Sequence, residues 1–202
     1  MAGRPRSFDR DTALATAVEQ FWRTGYDETS IAALTAAMGV TAPSLYAAFG
    51  DKQRLFEEAS ALYFHRTCEG VDRAMARSTV REAVAAVLDD TALAHTDAST
   101  PPGCLMLTEP RLGVQRAVLR DKLAERIAQG VSDGDLPDTV QPAELASFLV
   151  AVMRGMSGCA RDGGSTEQLQ AIARTALAGV PEPPTHDQGR RRRPRSGKRP
   201  PT

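Results

Sequence analysis

Aromatic residues are scarce in this 202-residue chain: 5% of positions, with one tryptophan, three tyrosines and six phenylalanines. Runs that alternate Val, Ile, Thr or Tyr with polar residues are also few, so no sheet is expected. Cysteine occurs three times, at Cys68, Cys104 and Cys159. An odd number at wide spacing argues against a disulfide framework and for reduced thiols in a cytoplasmic protein. No CxxC pair is present, and His65 with Cys68, three apart on a helix, has no further ligand pair nearby, so no metal site is expected. The three histidines offer no acid–base pairing. GxGxxG, P-loop and HExxH patterns are missing, and Gly155-Met156-Ser157-Gly158 lacks the last glycine of a nucleophile elbow. Enzymatic chemistry and a cofactor are therefore not expected. No run of about 18 apolar residues suggests a membrane span, and the polar start MAGRPRSFDRD has no apolar core, so it is not read as a signal peptide.

What is present is alanine, and apolar residues at helical spacing. Hydrophobic residues make up 42% and charged residues 25%, an ordinary globular balance. The formal net charge of zero hides an asymmetry. The tail from Pro181 to Thr202 carries seven basic residues against Glu182 and Asp187, a balance of +5 that leaves −5 on the remainder. This Pro/Arg-rich tail is expected to be disordered, and as a charge run it is either solvated or a salt-sensitive aid to DNA attraction.

The most informative stretch runs from Thr29 to Lys52. Ile31, Leu34 and Met38 give a short helix one buried face. Gly39 follows where a left-handed turn ends a helix, Val40 plugs the corner, and Thr41 caps a second helix that tolerates Pro43 in its first turn. Leu45 and Phe49 turn inward, four apart, which leaves Ala42, Ser44, Tyr46 and Ala47 outward. A short helix with a small, uncharged outer face is what a major groove admits.

With the helix before it, this segment resembles the N-terminal domain of the TetR family of one-component bacterial transcription regulators. The resemblance rests on Phe21, Gly25-Tyr26, Thr29-Ser30-Ile31, Met38-Gly39-Val40-Thr41 and Ser44-Leu45-Tyr46-x-x-Phe49-x-x-Lys52, and covers about residues 8 to 60. Thr35 departs from it, standing where the tight helix crossing usually takes alanine. The resemblance implies an all-α fold: a three-helix DNA-binding domain with a helix-turn-helix, joined by a long helix to a helical domain for ligand binding and dimerisation. Expected boundaries are 1–52, 53–180 and a tail at 181–202. The implied DNA contacts are Thr29, Thr41, Ala42, Ser44, Leu45, Tyr46 and Lys52. Arg4 and Arg6 form a basic arm that either enters a minor groove or stays solvated.

Beyond the head, helical patterns run from Asp51 to about Arg77, Thr79 to His95, Pro110 to Val131, Pro142 to Arg161, and from a cap at Ser165 or Thr166 to about Gly179, with a short apolar segment at Cys104 to Thr108. The family implies an effector cavity among the middle helices, for which Phe64, Val84, Val87, Leu88, His95, Cys104, Leu105, Met106, Met153 and Met156 are candidates. Apolar residues at this spacing equally fit plain core, and His95 fits a helix-end partner of free carbonyls. The last two helices are expected to pair with their copies through Leu145, Phe148, Leu149, Val152, Leu169, Ile172, Ala173, Ala176 and Leu177. The function so implied is a homodimeric regulator, repression being the family's usual mode. It would bind a palindromic double-stranded operator and be released by a small-molecule effector. A helical ligand- or protein-binding module without operator binding is the alternative.

Overall fold

The computed structural model describes residues 8–182, all of whose regular structure is helical. Arg4, Arg6 and the basic part of the tail lie outside the described residues. The helices are α1 (Arg10–Glu28), α2 (Ile31–Met38), α3 (Ala42–Phe49), α4 (Lys52–Met75), α5 (Val80–His95), α6 (Leu105–Thr108), α7 (Gly113–Ser132), α8 (Pro142–Arg161) and α9 (Thr166–Ala178). A 3-10 turn, Pro110–Leu112, splits the helix expected from Pro110 onward.

Short polar side chains open most of these helices. Asp9, Ser30, Thr41, Asp51, Thr79 and Ser165 each accept a backbone amide of the following turn, and Thr79 and Ser165 complete capping boxes with Glu82 and Gln168. Each such cap stabilises its helix by about 1 kcal/mol. At the turn between α2 and α3, Gly39 adopts φ 66°, ψ 31°, a left-handed conformation that glycine takes without steric cost. The two helices meet there at 94°. Gly25 interrupts α1 with φ 77° and ψ 176°, so the three residues after it run off the axis of the rest.

One apolar core runs through the molecule. In the head, Phe21, Leu34, Leu45, Phe49, Leu55 and Phe56 close α1–α3 onto the start of α4, and the Phe21 and Phe56 rings meet edge-to-face at 5.1 Å. Further along, α4 packs on α5 and α7, while α5, α7, α8 and α9 bury Val84, Leu88, Leu123, Leu149, Met156 and Leu169. Four of the expected subunit-interface residues, Leu149, Leu169, Ala173 and Ala176, are thus core of a single protomer. Their helices present apolar residues on two sides, and the inner side is consumed at home. On the outer side Phe148 (43% exposed) and Ile172 (37%) remain open, flanked by half-buried Leu145, Val152 and Leu177. By length and composition α8 is apolar enough to cross a membrane, yet it packs on α7 and α9.

Candidate nucleic-acid interface and inner cavity

The outer surface of α3 carries no charge. Thr41 is exposed, and its Oγ1 accepts the Ser44 amide at 3.4 Å and shares a hydrogen bond with Ser44 Oγ at 3.0 Å. Tyr46 is 45% exposed, Ala47 is exposed, and Ala42 and Ser44 are half-buried. These five form one outward patch of methyls, hydroxyls and a phenol.

Two expected DNA contacts are corrected. Leu45 is fully buried, because on a helix that packs through positions 45 and 49 it must face the core. Thr29 is 2% exposed, and its hydroxyl is bound to the Gly25 carbonyl and to Thr24 Oγ1 at 2.7 Å. The exposed cap of α2 is Ser30. Lys52, at the start of α4, lies against the end of α1, its Nζ 4.3 Å from the centroid of the Tyr26 ring and donating to the Asp27 carbonyl at 3.5 Å. Arg54, one turn into α4, is an exposed cation beside Gly50 that the motif did not single out.

Behind this patch the head is fastened to the rest of the chain. Glu109, buried between α6 and the 3-10 turn, accepts the Tyr26 amide at 2.9 Å and the Arg111 amide at 3.1 Å. Tyr26 presents its ring to two cations, Lys52 and Arg111, the latter with its guanidinium carbon 4.2 Å from the centroid. Arg111 also pairs with Asp27 at 2.8 Å. Trp22 is held at both ends: its indole donates to the Gly103 carbonyl at 3.2 Å, and its own carbonyl accepts from Arg161 at 2.7 Å. Gly103, at φ 76°, presses so close that a Cβ there would lie 2.7 Å from Ser157 Oγ. That hydroxyl in turn accepts the Cys104 amide at 2.8 Å.

Between α1, α4 and α5 lies a cavity of about 1080 Å³. Val18 and Trp22 wall it from α1, Tyr63 and Val71 from α4, and Val87, Thr91 and His95 from α5, with Cys104 alongside. Trp22 and Tyr63 meet edge-to-face at 4.9 Å, and the Tyr63 hydroxyl donates to Cys104 Sγ at 3.2 Å. Burial pushes the Tyr63 phenol well above its usual range, and raises the Cys104 thiol, so both are uncharged near neutrality. His95 is 6% exposed and its Nδ1 has no hydrogen-bond partner. Desolvation lowers its pKa from 6.5 to about 4, which keeps the ring neutral.

Of the expected effector residues, Val87, His95 and Cys104 line this space. Val84, Leu88, Leu105, Met106, Met153 and Met156 do not; they are buried core. Phe64 is half-buried on another side of α4. Helical spacing marks a buried stripe but not which part of it meets a gap. Trp22, Tyr63, Thr91 and Glu109 were not among the expected site residues. Trp22 lies on the stripe of α1, but nothing local to it, or to Glu109, signals a partner some 80 residues away.

Known proteins of similar sequence and shape fit this geometry. The family described as "Bacterial regulatory proteins, tetR family" matches residues 13–59, which span most of α1 through the first turns of α4. The HTH-type transcriptional repressor ComR of Escherichia coli (strain K12) is 34% identical, over 89% of this chain and 92% of that protein. BdcR, an HTH-type transcriptional repressor of the same organism, is 32% identical over 88% and 90%. Among solved structures, a cysteine-substituted form of the TetR family transcriptional regulator CifR, complexed with 26-bp double-stranded operator DNA, superposes with a TM-score of 0.85. It is 38% identical and covers 89% of this chain and 100% of that one. With the repressor relatives aligned along nearly their whole length, and a helix-turn-helix whose second helix faces outward, this chain belongs to the TetR family of bacterial regulatory proteins.

Proposed function

We propose that the protein is a transcriptional repressor that binds a palindromic DNA operator as a homodimer in the cytoplasm and leaves it when a small molecule binds. The observation that carries this reading is the outward patch of α3, capped by Thr41, centred on Tyr46 and free of charge. Such a helix can enter a major groove without a desolvated ion, and its hydroxyls and methyls can meet base edges and thymine methyls. Phosphate contacts fall to Lys52, Arg54 and the amides at the start of α2, behind Ser30. The repressors that share about a third of its residues support the direction of regulation.

Residues 1–52 serve as the reading head and 53–180 as the effector and dimerisation region, with α4 as the rod between them. The open apolar face of α8 and α9 around Phe148 and Ile172 is the surface for the second copy. Two heads held this way would approach half-sites about one helical turn (34–36 Å) apart, or a multiple of it. Release needs an effector that binds the DNA-free arrangement better than the DNA-bound one. The head's attachment at Trp22 and Tyr26 offers the route, since both residues are fastened to the α6 region that borders the cavity.

Selecting tightly bound fragments from random duplexes with the full chain tests the reading. Enrichment of a two-fold symmetric sequence, with binding lost in Tyr46→Ala, is the expected result. Recovery of no preferred sequence would refute it.

A further inference from the structure

The cavity between α1, α4 and α5 has an interior of one chemical character. Its buried and half-buried wall is apolar or neutral: Val18, Trp22, Tyr63, Val71, Val87 and Thr91. The charged residues that border it, Glu19, Arg66, Arg73, Asp90 and Asp97, are all exposed and of both signs. They form a rim, so a ligand inside would meet no fixed counter-ion. An ion entering such a space would shed its water without compensation.

One polar side chain on this wall is left without a protein partner. His95 is 6% exposed, its Nδ1 makes no hydrogen bond, and its ring is neutral through burial. A neutral imidazole offers one donor and one acceptor. Buried polar groups are ordinarily satisfied, so an enclosed, unpaired nitrogen on a residue that lines an open volume would gain a partner if the ring turned toward that volume. Thr91, one turn earlier on the same face of α5, adds a hydroxyl to that wall. Trp22, part of the head, shares that wall: its indole donates to the Gly103 carbonyl, and the Gly103 amide donates to the His95 carbonyl.

We propose that this cavity receives an uncharged, largely apolar small molecule bearing one hydroxyl or carbonyl, which hydrogen-bonds His95 and packs against Trp22. The assignment rests on the repressor reading above and names its effector class. The ligand lies between the reading head and the helices behind it, so it acts on α1 directly. Seating its polar group requires the His95 ring to turn, because Nδ1 is enclosed in the ligand-free form. A ring turned toward the ligand and an indole pushed from it are differential contacts of the kind a two-state release needs.

Trp22 is the only tryptophan of the chain, so tryptophan fluorescence comes from one residue, on the wall of this cavity. The full-length protein is titrated with para-cresol and acetophenone as neutral polar probes, toluene as the apolar control, and benzoate and benzylammonium as the charged ones. Affinity for the selected duplex is measured alongside. Para-cresol or acetophenone is expected to change the Trp22 signal saturably and to weaken duplex binding, while the charged probes do neither. His95→Leu is expected to weaken the effective polar probe about tenfold, the worth of one neutral hydrogen bond, without weakening toluene. His95→Asn, which keeps a donor and an acceptor, recovers part of that loss.

Silence of Trp22 toward both neutral polar probes, equal binding of the charged ones, or unaltered polar-probe affinity in His95→Leu would each overturn the assignment. Duplex binding without any probe tests the repressor reading separately. A protein that holds its duplex and ignores the probes loses only the cavity assignment, whereas one that answers the probes but selects no duplex loses the regulator.

Discussion

The carboxylate of Glu109 accepts the backbone amide of Tyr26 across 83 residues of sequence, at 2.9 Å. Through this contact the end of α1, just behind the reading helix, is fixed to the segment that follows α6. Glu109 is buried, and the Tyr26 amide it accepts is partly shielded from water. Removing the carboxylate strands both the Tyr26 and the Arg111 amides.

Glu109→Ala should therefore lower stability by about 1–3 kcal/mol, the cost of a buried donor left unmade. Glu109→Gln retains one carbonyl acceptor and should lose less. Urea unfolding followed by circular dichroism measures both, and a native-like midpoint for Glu109→Ala would remove the latch from any account of head positioning.

Leu45 and Tyr46 are neighbours with opposite fates, which separates folding from reading. Leu45→Ala empties a fully buried site and should cost about 2–5 kcal/mol. Tyr46→Ala removes an exposed ring and should stay within about 0.5 kcal/mol of the parent, yet lose operator affinity by tenfold or more if the phenol donates to a phosphate or base. Melting curves paired with duplex titrations decide it. A Tyr46→Ala protein that unfolds early would mean the ring is structural.

His95 imposes a pH dependence whose sign follows from burial. Its folded pKa, about 4, lies below the usual 6.5, so between these values the unfolded chain holds a proton that the folded chain does not. Stability should rise with pH across that window, by at most about 1.4 kcal/mol per unit, and flatten above it. His95→Leu should remove this part of the slope and raise stability at acid pH. Urea midpoints taken at intervals from acid to neutral pH check it, and a slope unchanged in His95→Leu would assign it to other groups.

The outer apolar face of α8 and α9 predicts a sharp contrast between adjacent residues. Phe148→Glu places a charge on an exposed position and should yield a folded monomer with weakened duplex binding. Leu149→Glu forces an unpaired charge into the protomer core and should abolish folding. Sedimentation velocity with circular dichroism separates the two, and a Phe148→Glu protein that remains dimeric would locate the subunit interface elsewhere.

Much of this molecule was legible before any coordinates, because its head is specified by local chemistry. Gly39 at a left-handed turn, Thr41 as a cap, and the spacing of Leu45 to Phe49 each act within a few residues, and local physics is what sequence displays. The later helices were legible from the spacing of their apolar residues, and the structure adds that Asp51, Thr79 and Ser165 cap three of them. The residues assigned to the cavity and the subunit face were less legible. Periodicity identifies a buried stripe, but Val87 and Leu88 are equally apolar and equally periodic. Only the packing of α1 against α4 and α5 decides that one meets a gap and the other meets core.

The amino-acid order by itself therefore determined an all-helical chain with an outward reading helix, since helix formation, capping and turning are settled between near neighbours. The tertiary structure alone decided that Trp22 and Tyr26 are anchored to Gly103 and Glu109, that His95 is left without a partner, and that Leu149 and Leu169 serve the protomer rather than its copy. Those outcomes depend on which surfaces meet after the chain has folded back on itself, and contacts between residues about 80 positions apart leave no periodic trace in the segments that make them.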